Sequence, residues 1–91
     1  MIIRWALAGS RPRVAQLRYI GTENPRAAER LDEEIENQIE MLAEHPFIGR
    51  TGRLAGTREM VIARTPFIVI YRVKRNEVEI LRILHHAQKW P

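Results

Sequence analysis

The stretch Thr65-Pro66-Phe67-Ile68-Val69-Ile70-Tyr71-Arg72-Val73 decides the fold. Successive side chains of a β-strand point to opposite faces of its sheet, so a strand with one wet face alternates apolar and polar residues. Here both alternating sets are apolar: Phe67, Val69, Tyr71 and Val73 on one, Ile68 and Ile70 on the other. Both faces of the sheet must therefore be at least partly covered. Thr65-Pro66 separates this run from a preceding strand over Arg58–Ala63, and Lys74-Arg75-Asn76-Glu77 is a turn into a last strand over Val78–His86. Links this short join antiparallel neighbours.

Upstream of the strands the period changes. Asn24-Pro25 is a helix start, with Asn as N-cap and Pro in the first helical position. Ala28, Leu31, Ile35, Ile39 and Leu42 follow at 3-4-4-3 spacing, one apolar stripe with acids on the far side. The like-charge pairs Arg26–Arg30, Glu29–Glu33 and Glu36–Glu40 mean that packing, not surface pairing, holds this helix. His45-Pro46 ends it, because the residue before proline avoids the α region. Met1–Ala6 reads as a short strand. Ser10 then caps a short helix with Pro12 in its first turn, running to Gly21 as its C-terminal glycine. Gly49, Gly52 and Gly56, interleaved with Arg50 and Arg53, mark Ile48–Thr57 as a basic connecting loop. It is not a phosphate-binding P-loop, since no Gly-Lys-Ser/Thr and no helix follow it. The pattern predicts one α+β domain over residues 1–91. Two short helices can cover one sheet face, which leaves the second face as a candidate docking surface.

The composition bounds the chemistry. Ninety-one residues, 45% hydrophobic and 29% charged, make one globular core. The absence of cysteine excludes a disulfide scaffold and a Cys-ligated metal. No apolar run reaches membrane-spanning length and the first residues lack a signal-peptide core, so the expectation is a soluble cytoplasmic protein with no membrane partner. The net charge of +4 hides a dipole: residues 22–44 hold eight acids and two bases, whereas residues 45–91 hold nine bases and three acids. A basic half of this kind suits an anionic partner, nucleic acid or acidic protein.

Nucleophilic catalysis by a serine triad has no footing, since the only serine is Ser10 and it lacks a G-x-S-x-G context. His85 and His86 are adjacent on a strand, point to opposite faces and cannot chelate one ion together. No metal and no cofactor is therefore expected. What remains is arginine and histidine on strands: Arg58, Arg64, Arg72 and Arg82, with His85 and His86 at the end of the last one. Alternation groups Arg82, Leu84 and His86 on one face and Leu81, Ile83 and His85 on the other. A guanidinium beside an imidazole can bind a phosphate while the histidine moves a proton, as RNA cleavage requires. The same arginines can instead form ion pairs with Glu59, Glu77 and Glu79.

From Trp5 to Pro91 the sequence resembles the RelE/ParE superfamily of bacterial toxins, the toxic half of type II toxin–antitoxin modules. The resemblance rests on the ordered set Tyr19-Ile20, Asn24-Pro25-Arg26-Ala27-Ala28, Leu42 with His45-Pro46-Phe47-Ile48-Gly49-Arg50, Gly56-Thr57-Arg58-Glu59, Thr65–Val73, Ile80-Leu81-Arg82-Ile83-Leu84-His85 and the Trp90-Pro91 end. It implies an N-terminal strand and helical hairpin packed on a small antiparallel β-sheet, and a cognate antitoxin that neutralises the toxin as a hetero-oligomer. The superfamily holds two mechanisms: RelE-like members cleave mRNA on the ribosome without a metal, and ParE-like members poison DNA gyrase. The RNases place a basic residue near the start of the middle strand and a His or Tyr near the C-terminal end. The first of these positions is Phe67 here, a departure that removes a phosphate ligand; the second matches His85 or His86 loosely. The Pro66-bearing strand start and the Leu84-His85…Trp90-Pro91 end resemble the ParE side, which implies a gyrase poison for plasmid or locus maintenance. The alternative is a RelE-like endoribonuclease with Arg58, Arg82, His85 and His86 as candidate catalytic residues. In either case Arg50, Arg53, Arg64 and Arg72 are candidate contacts to the target, gyrase or ribosome and mRNA.

Overall fold

A computed structural model describes residues 1–6 and 25–85. The expected first helix, from Ser10 to Gly21, lies outside them, as do His86 and the Trp90-Pro91 end. Five strands form one sheet in the order β1-β5-β4-β3-β2. They are β1 (Ile2–Trp5), β2 (Arg50–Thr51), β3 (Arg58–Val61), β4 (Phe67–Lys74) and β5 (Glu77–His85). Strands β2 to β5 form an antiparallel meander, as the short links require. β1 pairs with β5 in parallel, Ile3 opposite Val78 and Trp5 opposite Ile80, so the sheet is mixed rather than purely antiparallel. A strand remote in sequence is not tied by a hairpin and can enter in either direction. The segment expected to be all loop also contributes β2, a two-residue strand opposite Arg58 and Glu59.

Helix α1 spans Pro25–Glu40 and tightens into a 3₁₀ turn over Met41–Ala43. The predicted stripe faces the sheet: Ile35, Ile39 and Leu42 are buried and Leu31 packs partly against the same core. From the sheet they meet Phe67, Val69 and Tyr71 of β4, Val78, Ile80 and Ile83 of β5, and Ile62. Burying side chains of this size stabilises by roughly 1.5–3 kcal/mol each before entropy is counted. One irregularity makes the fit work. Ile70 lies opposite Arg82 but Tyr71 lies opposite Ile80, so Leu81 is an extra residue in β5. This bulge brings Ile80 and Ile83, which are an odd number of residues apart, to the same helix-facing side.

The other sheet face is not the open apolar surface that the two-sided strand suggested. Ile70 and Leu84 are buried there, and so are the carboxylates of Glu59 and Glu79. Arginines lie over those acids. Exposed apolar side chains gather instead near the β2–β3 edge, where Met41, Phe47, Ile48, Leu54 and Val61 are all exposed.

Candidate functional site

The basic half is organised by two buried acids. Glu59, on β3, accepts from the Arg50 guanidinium at 3.0 Å and from the Arg53 amide at 3.0 Å, with the Arg53 guanidinium at 3.7 Å. Burial pushes its carboxyl up, but the Arg53 amide and the two guanidiniums outweigh burial and hold it below the ordinary value. Glu59 therefore anchors a loop that keeps two guanidiniums at the surface. Beside it, Arg58 donates to the Gly49 carbonyl at 2.8 Å, and its guanidinium stacks 4.9 Å from the centre of the Phe47 ring. The Gly49 amide donates in turn to the hydroxyl of Tyr71 at 2.9 Å. Burial raises that phenol above its ordinary value, against the opposing pull of the Gly49 amide and the Arg58 charge.

Glu79 is the second anchor. Arg72 donates to one of its oxygens and Arg4 to the other, both at 2.8 Å, while Arg4 also reaches Glu77 at 3.0 Å. The two guanidiniums, Arg72 first and then Arg4, hold the carboxyl at about 2 against the effect of burial. A carboxyl depressed in the folded state contributes stability that is full above its unfolded value, near 4.5, and is lost as pH falls through the folded value, about 2. Glu59 acts in the same direction. The midpoint of thermal unfolding should therefore fall steadily with acidification through this window. Glu79→Gln should flatten that fall, and a pH profile identical in the variant and the parent would show that Glu79 is not a coupled group.

Among the described residues, the candidate catalytic side chains of Arg58, Arg82 and His85 do not converge; His86 lies outside them. Arg82 is exposed on β5 just past the bulge, opposite Ile70. His85 lies on the other face of the same strand, opposite Phe67, with the two rings 5.8 Å apart and edge to face. Arg58 shares the helix-facing side with His85 but lies opposite Tyr71, four residues along β4 from Phe67, or roughly 13 Å at strand rise. Phe67 itself is only 1% exposed and belongs to the core. Of the candidate target contacts, Arg50 and Arg53 flank Glu59, Arg72 is on Glu79, and Arg64 pairs with Glu34 of α1. All four remain 45–74% exposed despite these pairs. The pairing of arginines with Glu59, Glu77 and Glu79 is thus realised, but with two of the three carboxylates buried. That burial escapes sequence reasoning, because a glutamate on a strand reads as solvent-facing. No group of three or more acidic, histidine or cysteine side chains able to hold a metal occurs among the described residues. No helix among them is long and apolar enough to cross a membrane.

Comparison with known proteins gives this basic scaffold a family. The family described as "ParE toxin of type II toxin-antitoxin system, parDE" matches residues 11–90. A protein of Sinorhizobium fredii named "Putative toxin Y4kP" is 43% identical over 89 residues, 98% of this chain and 92% of that protein. Toxin RelE2 of Caulobacter vibrioides is 37% identical over 70 residues, 77% of each chain. Among solved structures, the chromosomal ParDE toxin–antitoxin system of P. aeruginosa superposes with a TM-score of 0.84 at 26% identity, covering 93% of this chain and 95% of that one. The family match spans most of the sequence and agrees with the fold: the chain belongs to the ParE toxin family and is the toxin of a type II toxin–antitoxin module.

Proposed function

We propose that this toxin arrests growth by inhibiting DNA gyrase in the cytoplasm, catalyses no reaction of its own, and is held silent by a cognate antitoxin in a hetero-oligomer. The observation that carries this reading is the burial of Phe67. The position at which the superfamily's RNases are expected to present a phosphate ligand is here spent on the core, edge-on to His85. Arg82 and His85 lie on opposite faces of β5, so they cannot grip one phosphate and move its proton together. The exposed guanidiniums of Arg50, Arg53, Arg64 and Arg72 are left as contacts to the target rather than as a catalytic set.

Purified gyrase provides the test. Stoichiometric toxin should abolish supercoiling of relaxed plasmid, and added antitoxin should restore it. Absence of inhibition would defeat the proposal. The likeness to toxin RelE2 motivates the second reading, ribosome-dependent mRNA cleavage with Arg82 and a terminal histidine. Primer extension on translated mRNA should show no cuts. Cuts that disappear in His85→Ala or His86→Ala would establish the nuclease instead.

A further inference from the structure

On the sheet face away from α1 the same arrangement occurs twice, a buried carboxylate held under guanidiniums. We propose that this face binds duplex DNA, its phosphate backbone taken by the outward N–H groups of Arg4 and Arg72 over Glu79, of Arg50 over Glu59, and of Lys74 beside them. This refines the role of Arg50 and Arg72 as target contacts, and it does not rest on gyrase being the target.

The pairing register brings these groups together. Arg4 lies opposite Glu79 and Glu79 opposite Arg72; two residues along β4, Ile70 lies opposite Glu59 and Glu59 opposite Arg50. Opposed residues share a face, and alternate residues of a strand return to it. Glu79 and Glu59 are two strands and two residues apart, about 12 Å, well inside the footprint of one duplex. Lys74 and Arg82 are exposed on the same face, opposite Glu77 and Ile70. With Arg53 beside Glu59, six cations there meet three carboxylates.

The anchors leave most of each guanidinium unused. An arginine carries five N–H donors in a fixed fork. Arg72 gives only its Nε–H to Glu79, at 2.8 Å. Arg4 gives one terminal nitrogen to Glu79 at 2.8 Å and its Nε to Glu77 at 3.0 Å. No other acceptor for either occurs among the described residues, and the two side chains are 45% and 62% exposed. Arg50 likewise gives one terminal nitrogen to Glu59, at 3.0 Å, and stays exposed. Glu79 and Glu59 therefore fix flexible side chains with donors turned to solvent, which removes part of the ordering cost of binding.

The chemistry of the face selects the ligand. Forks of outward N–H groups suit phosphate oxygens. Single-stranded RNA is gripped by stacking its bases on exposed rings. Among the described residues no ring lies on this face: Trp5, Phe67 and Tyr71 pack into the core under α1, and Phe47 stacks on Arg58, which is on the helix-facing side. An acidic protein needs an apolar anchor at the centre of its interface. Here Ile70, between the two carboxylates, is only 1% exposed, and the exposed Ile2 and Val61 lie towards the two edges. A duplex needs neither rings nor an apolar anchor, because its backbone is held by cations alone.

Fluorescence anisotropy of a short labelled duplex over a salt series tests this. The parent should bind, with an affinity that falls linearly on a log–log scale as salt rises. Arg72→Gln/Glu79→Gln removes one cation and one carboxylate together, so net charge is unchanged and no buried charge is left unpaired. It should weaken duplex binding about five- to tenfold at about 0.1 M salt and lower the salt slope by about one, as for one lost phosphate contact. Lys74→Gln, on an exposed side chain with no buried partner, should do the same, and it keeps the test valid if circular dichroism shows the double variant unfolded. Arg26→Gln, on α1, should stay within about twofold of the parent. A parent that binds no duplex at low salt would overturn the proposal. So would face variants with unchanged affinity and slope, or an equal loss in Arg26→Gln, which would reduce the effect to net charge. Tighter binding of single-stranded RNA than of duplex, lost in the same variants, would give the face to RNA instead. Duplex binding that behaves as expected in a toxin that leaves gyrase uninhibited would sink the target assignment alone.

Discussion

Phe67→Ala is expected to lower the free energy of unfolding by about 3–5 kcal/mol, the cost of removing a buried phenyl ring and leaving a cavity. A domain of this size has a total on the order of 5–15 kcal/mol, so the variant should be close to unfolded at physiological temperature. The ring is 1% exposed and belongs, with Ile62, Val69 and Ile83, to the core that seats α1, and the His85 ring meets it edge to face. Phe67→Arg is the more informative partner. If the position were merely a vacant phosphate site, arginine would be tolerated and would move the toxin toward RNA cleavage. In a closed core it buries an unpaired charge and should be at least as damaging as alanine. Phe47→Ala is the control: that ring is 61% exposed and loses only its stacking on Arg58, about 0.5–1 kcal/mol. Urea melts of the free toxin separate these outcomes. A stable Phe67→Arg protein would show that the strand start faces solvent and can present a phosphate ligand, as a nuclease requires.

The same residue shows how far the sequence could be read. The doubly apolar run from Phe67 to Val73 demands cover on both sheet faces, and Phe67, Val69 and Tyr71 on one face and Ile70 on the other are all buried. Likewise the spacing of Ile35, Ile39 and Leu42 fixes which side of α1 is buried, because side chains at that period can share only one face. Leu81 was not legible. An inserted residue inside the apolar run Ile80–Leu84 leaves no break in the pattern, and only the pairing register exposes it. Nor was the direction of β1, which depends on partners far away in the chain. The burial of Glu59 and Glu79 was hidden for another reason. A buried carboxylate is tolerable only when donors converge on it, and Arg50, Arg53, Arg4 and Arg72 arrive from separate elements. Composition counted those arginines as a basic surface; the fold spends part of their charge inside the sheet edge and keeps the remainder exposed.

Gly49→Ala should cost about 1–3 kcal/mol although the residue reads as one glycine of a loop, because an added methyl has nowhere to go. A Cβ there would lie 2.6 Å from the Tyr71 hydroxyl, 2.8 Å from its ring and 2.9 Å from the Glu59 carbonyl. The first two contacts belong to a fully buried side chain and the third to backbone in the β2–β3 ladder, so none can yield cheaply. Tyr71→Phe alone should cost a further quantity of the same order, about 1–3 kcal/mol, since it leaves the buried Gly49 amide without its acceptor. The double variant distinguishes a tight fit from a lost hydrogen bond. Removing the hydroxyl relieves the 2.6 Å contact but not the one to Glu59, and the hydrogen bond can be lost only once. The combined cost should therefore be less than the sum of the two single ones yet clearly above that of Tyr71→Phe. Additive costs would mean that Gly49 and Tyr71 act independently, and a neutral Gly49→Ala would mean that the loop is not held against the sheet at all.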